Sequence, residues 1–136
     1  MDEQELSQSL RTLEDYKAQM ESFDQQFGFL SSTMKEHTQA KETMEGYKDL
    51  KEGQETLIPI GAGSFLFTKV SDPTRAMVGM GAEMVVETAI DEAISKMDER
   101  IAEIEDAMKK VTEKYQDIAQ KSADLSAKVQ SAYQGH

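Results

Sequence analysis

The chain has 136 residues, 38% hydrophobic and 30% charged, the length of one domain but too polar to fill one ordinary globular core. A net charge of −11 argues against nucleic-acid binding and against anionic membrane surfaces, both of which draw on clustered Lys and Arg. Cysteine is absent, which excludes a disulfide framework and a thiolate metal site.

Residues 1–53 read as one long helix. Leu6, Leu10, Leu13, Met20, Phe23, Phe27, Leu30 and Met34 keep the alternating four-and-three spacing of a coiled-coil seam. The spacing slips by three residues between Leu13 and Met20, where Tyr16 and Lys17 compete for the seam, a stammer that would locally overwind the supercoil. Gly28 costs roughly 1 kcal/mol relative to Ala inside a helix and reads either as a tolerated surface residue or as a hinge. His37 falls on the seam as a polar residue that helps fix register. Lys51-Glu52-Gly53 is expected to close the helix, with glycine in the left-handed conformation.

Residues 54–87 change character. Leu57-Ile58-Pro59-Ile60, Ser64 to Val70, Ala76 to Met80 and Met84 to Val86 read as four short strands, broken by Gly61-Ala62-Gly63 and by Ser71-Asp72-Pro73-Thr74 and arranged as two β-hairpins. Free hairpins are marginal in water, so this segment cannot bury its apolar residues alone and several copies are expected to pool them in one sheet or barrel.

Residues 88–136 read as a second long helix, opened by a capping box at Thr88 and Asp91. Its seam runs without a slip through Ile90, Ile94, Met97, Ile101, Ile104, Met108, Val111, Tyr115, Ile118, Ser122, Leu125 and Val129. Acid-before-base pairs four apart, Glu92 with Lys96, Glu105 with Lys109, Asp106 with Lys110, Asp117 with Lys121 and Asp124 with Lys128, each add about 0.2–0.5 kcal/mol on a solvated face. Two helices of similar length, each roughly 70 Å long at 1.5 Å per residue, are expected to fold back as an antiparallel hairpin. The fold class is therefore α+β, a long antiparallel coiled-coil helical hairpin with two β-hairpins at the bend that contribute to an oligomeric β-barrel.

Little in the chain suggests catalysis or a cofactor. Gly61-Ala62-Gly63-Ser64 lacks the lysine of a phosphate-binding loop, and Gly79-Met80-Gly81 lacks the third glycine and the βαβ unit of a dinucleotide fingerprint. Two histidines, His37 and His136, cannot assemble clustered imidazole ligands or a histidine-based triad in one chain. No catalytic, cofactor-binding or metal residue is expected, and no cofactor. Residues 122–133 differ from the rest of the second helix, with small residues replacing dense charge, and Leu6, Leu10 and Leu13 would lie opposite them. Such an end is either a frayed terminus or a docking surface for apolar segments of other proteins.

The run Glu55-Thr56-Leu57-Ile58-Pro59-Ile60-Gly61-Ala62-Gly63-Ser64-Phe65, with Val78-Gly79-Met80-Gly81-Ala82 and Ile90-Asp91-Glu92-Ala93, resembles the centre of archaeal prefoldin alpha subunits. The resemblance implies an ATP-independent holdase, a subunit of a hexamer of two alpha and four beta chains. In it, β-hairpins form a double β-barrel, and coiled coils project from it to hold unfolded polypeptides and pass them to a group II chaperonin. It implies assembly contacts at Leu57, Ile58, Ile60, Phe65, Phe67, Met77, Val78 and Met80, and client contacts at Leu6, Leu10, Leu13, Leu125, Val129 and Tyr133. The expected partners are beta subunits, unfolded clients and the chaperonin, with no nucleic acid and no membrane. The acidic MDEQELSQSL is unlike a secretory signal and no run reaches ~18 apolar residues, so the cytoplasm is the expected location. The alternative function is a coiled-coil scaffold or adaptor tethering one specific folded partner.

Overall fold

The computed structural model describes residues 1–135. Two helices, α1 (Glu3–Lys48) and α2 (Ile90–Gln134), enclose in sequence four strands, β1 (Glu55–Gly61), β2 (Ser64–Lys69), β3 (Arg75–Gly81) and β4 (Met84–Ala89). The strands form two separate two-stranded antiparallel sheets, β1 with β2 and β3 with β4, which is the expected pair of hairpins.

Helix α1 begins on a reciprocal cap. The Glu5 amide donates to Asp2 Oδ1 at 2.8 Å and the Asp2 amide donates to Glu5 Oε2 at 3.4 Å, so two otherwise orphaned donors are satisfied together. The phase slip resolves in favour of the aromatic: Tyr16 is half-buried and Lys17 exposed. The helix passes unbroken through Gly28 and Gly46, and a Cβ at either position would meet nothing. It ends at Lys48, earlier than the expected glycine cap, with the Leu50 amide bonded back to the Tyr47 carbonyl. Gly53, at φ 85°, has another task, because its amide donates to the Val70 carbonyl at 2.8 Å and steers the chain into β1.

The two hairpins repeat one construction. Glu55–Gly61 and Ser64–Lys69 recur as Arg75–Gly81 and Met84–Ala89, each shifted by 20 residues. The register irregularity falls between Pro59 and Gly61 in one and between Gly79 and Gly81 in the other. The Val70 amide donates to the Gln54 carbonyl at 2.9 Å, and the Ile90 amide to the Thr74 carbonyl at 2.8 Å. Each loop holds two residues at positive φ, Ala62 (54°) with Gly63 (70°) and Ala82 (50°) with Glu83 (62°), the mirror-image turn whose twist matches that of the strands.

This continuity alters the start of α2. Thr88 stays in β4, with its hydroxyl donating to the Ala89 carbonyl at 3.1 Å, so the expected capping box at Thr88 and Asp91 does not form. The strand runs straight into the helix at Ile90, and Asp91 and Glu92 supply acids to the first turn, where they favour the positive end of the helix dipole.

The chain divides into two compact units. One contains Met1–Ser32 and residues 105–135; here Leu6, Leu13, Tyr16, Met20, Phe23 and Leu30 of α1 are half-buried, and Val111 and Val129 of α2 are buried. The other, Thr33–Ile104, holds both sheets and the helix stretches beside them. Its core is Val78, Ala93 and Met97, with Ala40, Met44 and Ala76 packed around them. Lys41 pairs with Asp98, and Lys48 with Asp91 at 3.1 Å. Seven residues forward on α1 thus match seven residues backward on α2, the signature of antiparallel neighbours in heptad register.

Candidate assembly surface

Residues opposed in an antiparallel pair share a face, and faces alternate along the strand. In the first hairpin Leu57 opposes Phe67 and Pro59 opposes Phe65 on one face, while Thr56 opposes Thr68 and Ile58 opposes Leu66 on the other. Both faces are therefore largely apolar. Leu57, Ile60, Phe65, Leu66 and Phe67 are all exposed, Phe67 to 89% of its surface. Because burying such a side chain contributes about 1.5–3 kcal/mol, five exposed side chains on one small hairpin leave a large favourable term unrealised in the single chain. Beneath the hairpin, Gly46 and Tyr47 of α1, Leu50 just beyond it, and Ile58 and Phe65 of the strands border an open groove of about 330 Å³.

The second hairpin is half covered. Ala76 and Val78 face Ala40, Met44, Ala93 and Met97, and the Arg100 guanidinium donates to the Gly79 carbonyl at 2.7 Å. Val78 is 2% exposed, so its expected role as an assembly contact is corrected: alternation points it at the chain's own helices, where it forms the core. Its strand neighbours Met77 and Met80 and the facing Met84, Val85 and Val86 remain exposed. Of the eight expected assembly residues, Leu57, Ile60, Phe65, Phe67, Met77 and Met80 lie open, Ile58 is half-buried and Val78 is enclosed.

Polar contacts fix how the hairpins leave the helices. Asp72 Oδ1 accepts from the Thr74 amide at 2.9 Å and from its hydroxyl at 2.6 Å, and Oδ2 pairs with Arg75 Nε at 2.8 Å. The Thr74 hydrogen bonds, with the Arg75 charge beside them, hold the Asp72 carboxyl below its usual range. Arg75 also reaches Glu87 across the sheet at 2.6 Å. Hydrogen bonding to Asp98 and to Asp91 raises Lys41 and Lys48 respectively above the usual lysine value. Of the pairs expected from spacing within α2, Asp106 with Lys110 and Asp117 with Lys121 form at 3.0 and 3.2 Å, while Lys96 turns to Glu99 and Asp124 accepts from Gln120.

The residues expected to touch clients fall in one unit, the one containing Met1–Ser32 and residues 105–135. Leu10 and Tyr133 are exposed, and Leu6, Leu13 and Leu125 are half-buried. Val129 is 6% exposed; a seam residue packed between helices offers no surface, and that assignment is corrected. Phe29, absent from the sequence reading, stands 72% exposed, because it falls two positions from the seam residue Phe27 and so on the outer side of α1. Among the described residues no cluster of three metal-ligating side chains occurs, and no helix is long and apolar enough to cross a membrane. His136 lies outside the described residues.

A family model described as prefoldin subunit matches residues 16–135. Prefoldin subunit alpha of Methanopyrus kandleri is 40% identical over 68 residues, 50% of this chain and 43% of that protein. Prefoldin subunit alpha of Pyrococcus horikoshii is 40% identical over 80 residues, 58% of this chain and 54% of that protein. The chain thus spans about half the length of these relatives. Among solved structures, a chain of the filamentous PFD of Methanocaldococcus jannaschii, determined by cryo-EM, matches at TM-score 0.53 and 26% identity, covering 96% of this chain and 99% of that one. The prefoldin beta subunit of Thermococcus strain KS-1 matches at TM-score 0.64 and 20% identity over 94% and 91%, a likeness of fold alone. With two long helices, two β-hairpins between them and a family match across most of its length, the chain belongs to the prefoldin subunits.

Proposed function

We propose that this chain is an alpha-type subunit of an ATP-independent chaperone that holds unfolded polypeptides and passes them to a group II chaperonin in the cytoplasm. The observation that carries the reading is the first hairpin, which leaves Leu57, Ile60, Phe65, Leu66 and Phe67 exposed. A surface of that kind is an unfinished core, and the completion consistent with its family is a barrel built with beta subunits in a hexamer of two alpha and four beta chains. Leu57, Ile60, Phe65, Phe67, Met77 and Met80 supply the apolar contacts, and the strand edges supply hydrogen bonds.

Client capture belongs to the helix ends, at Leu6, Leu10, Leu13, Leu125 and Tyr133. Each end offers a small apolar patch, so one contact is weak and several ends around one space gain by effective concentration. Holding is then reversible, and release follows when the chaperonin competes for the client.

Co-expression with an archaeal prefoldin beta subunit, followed by native mass measurement, tests the assembly: a two-to-four hexamer is expected. A long homopolymer of this chain alone would favour an assembly like the filamentous PFD. Removing residues 1–13 and 123–136 should leave the hexamer intact and abolish suppression of aggregation of a denatured protein. Undiminished suppression would rule out the helix ends as the holding site, and a pull-down that returns one folded partner in fixed ratio, without such suppression, would favour an adaptor.

A further inference from the structure

Within the unit formed by Met1–Ser32 and residues 105–135, well inside the helix ends, Phe23 and Phe27 of α1 and Val111 and Tyr115 of α2 border an open groove of about 280 Å³. Three rings and a valine make it apolar. Thr112 and Gln116 form its polar edge on α2, and Asp24 is the single charged residue along it.

Asp24 makes no ion pair among the described residues. Its surroundings add to its field: the described residues of this unit carry twelve acids against seven bases, and residues 25–32 carry no charge at all. The groove is thus an aromatic, charge-free floor beside one uncompensated carboxylate. Aromatic faces and a carboxylate act in the same sense on a cation, and each disfavours an acidic occupant.

We propose that this groove takes one large apolar or aromatic side chain of an extended polypeptide segment that carries lysine or arginine next to it. The apolar side chain fills the space between Phe23, Phe27 and Tyr115, and the neighbouring cation lies against Asp24. The proposal rests on the holdase reading and gives it a preference: segments with basic residues beside apolar ones are held more tightly than acidic ones.

The chain has no tryptophan, so a peptide with one indole reports its own burial. Two unstructured peptides, each with a single tryptophan flanked by lysines in one and by glutamates in the other, are titrated with the full chain at low salt. The lysine peptide is expected to bind about two- to fivefold more tightly, with a blue-shifted indole. Asp24→Asn should remove that preference, and so should Thr112→Phe, which occupies the groove from an exposed position. Asp15→Asn, on the same acidic stretch but away from the groove, should retain it. Equal binding of both peptides, or equal loss of preference in Asp24→Asn and Asp15→Asn, would overturn the groove. Aggregation suppression is measured on the same samples. Suppression without the lysine preference would sink the groove alone, whereas an Asp24-dependent preference without suppression would sink the holdase reading and support the groove.

Discussion

Glu83 holds a conformation better suited to the residue found at the same place in the other hairpin. At φ 62° it occupies the left-handed region, which costs a residue with a side chain about 1–2 kcal/mol, whereas Gly63 fills the matching position in the first turn. Glu83→Gly should therefore raise stability by about 0.5–1 kcal/mol after the added unfolded-state entropy, as read from thermal melts. Val78 and Phe67 give a sharper contrast. Val78→Ala removes buried volume from the core of its unit and should cost about 2 kcal/mol. Phe67→Ser, at an exposed position, should leave the melt of the dilute chain unchanged and weaken assembly, as measured by sedimentation. Sequence gave no means of telling these two apart. Both are apolar strand residues, and only the docking of one hairpin face on α1 and α2 decides which is core and which is surface.

At the scale of elements, the strands, their turns and the two helices were legible, because period-two and heptad spacing are local signals and the glycine-containing turns punctuate them. The element ends were less so. Gly53 and Thr88 each carry a residue type that suits a helix terminus, yet both are taken up by the strands, through Gly53 bonded to Val70 and β4 passing directly into α2. Ion pairs between helices escaped for a similar reason: Lys41 with Asp98 and Lys48 with Asp91 depend on helix register, which spacing within one helix does not encode. These pairs set the pH response of their unit. Lys41 and Lys48 are raised from 10.5, so their contribution is fully present below that value and is lost as pH rises through the folded values. Asp72 is lowered from 3.8, so its contribution is present above that value and is lost as pH falls through the folded one. Amide exchange around Ser71–Arg75 should accelerate, beyond its intrinsic pH dependence, only at strongly acidic pH, and Asp72→Asn should remove that acid-specific step.

At the scale of the whole molecule, the uncovered hairpins make stability a property of concentration. Folding of the isolated chain leaves Leu57, Phe65, Phe67 and the second hairpin's methionines in water, and any association that covers them adds to the apparent stability by mass action. The melting temperature should rise with protein concentration and rise further on adding a beta subunit. A melt independent of concentration over two decades would mean that the hairpins find no partner in their own kind. The exposure of the seam residues was the least legible part of the sequence: Leu10 and Val129 look equivalent in a heptad listing, yet one is exposed and the other enclosed.

The 20-residue step between hairpins bears on how such a gene can change length. Because the bond that closes the first hairpin, Val70 to Gln54, has the same form as the one that closes the second, Ile90 to Thr74, an in-frame excision of residues 54–73 puts Thr74 directly after Gly53, where Gln54 had been. The surviving hairpin keeps its turn, its bulge and its seat on Ala93 and Met97. The first hairpin is in this sense a cassette, which a single in-frame event can remove while the core that the second hairpin forms with both helices stays in place.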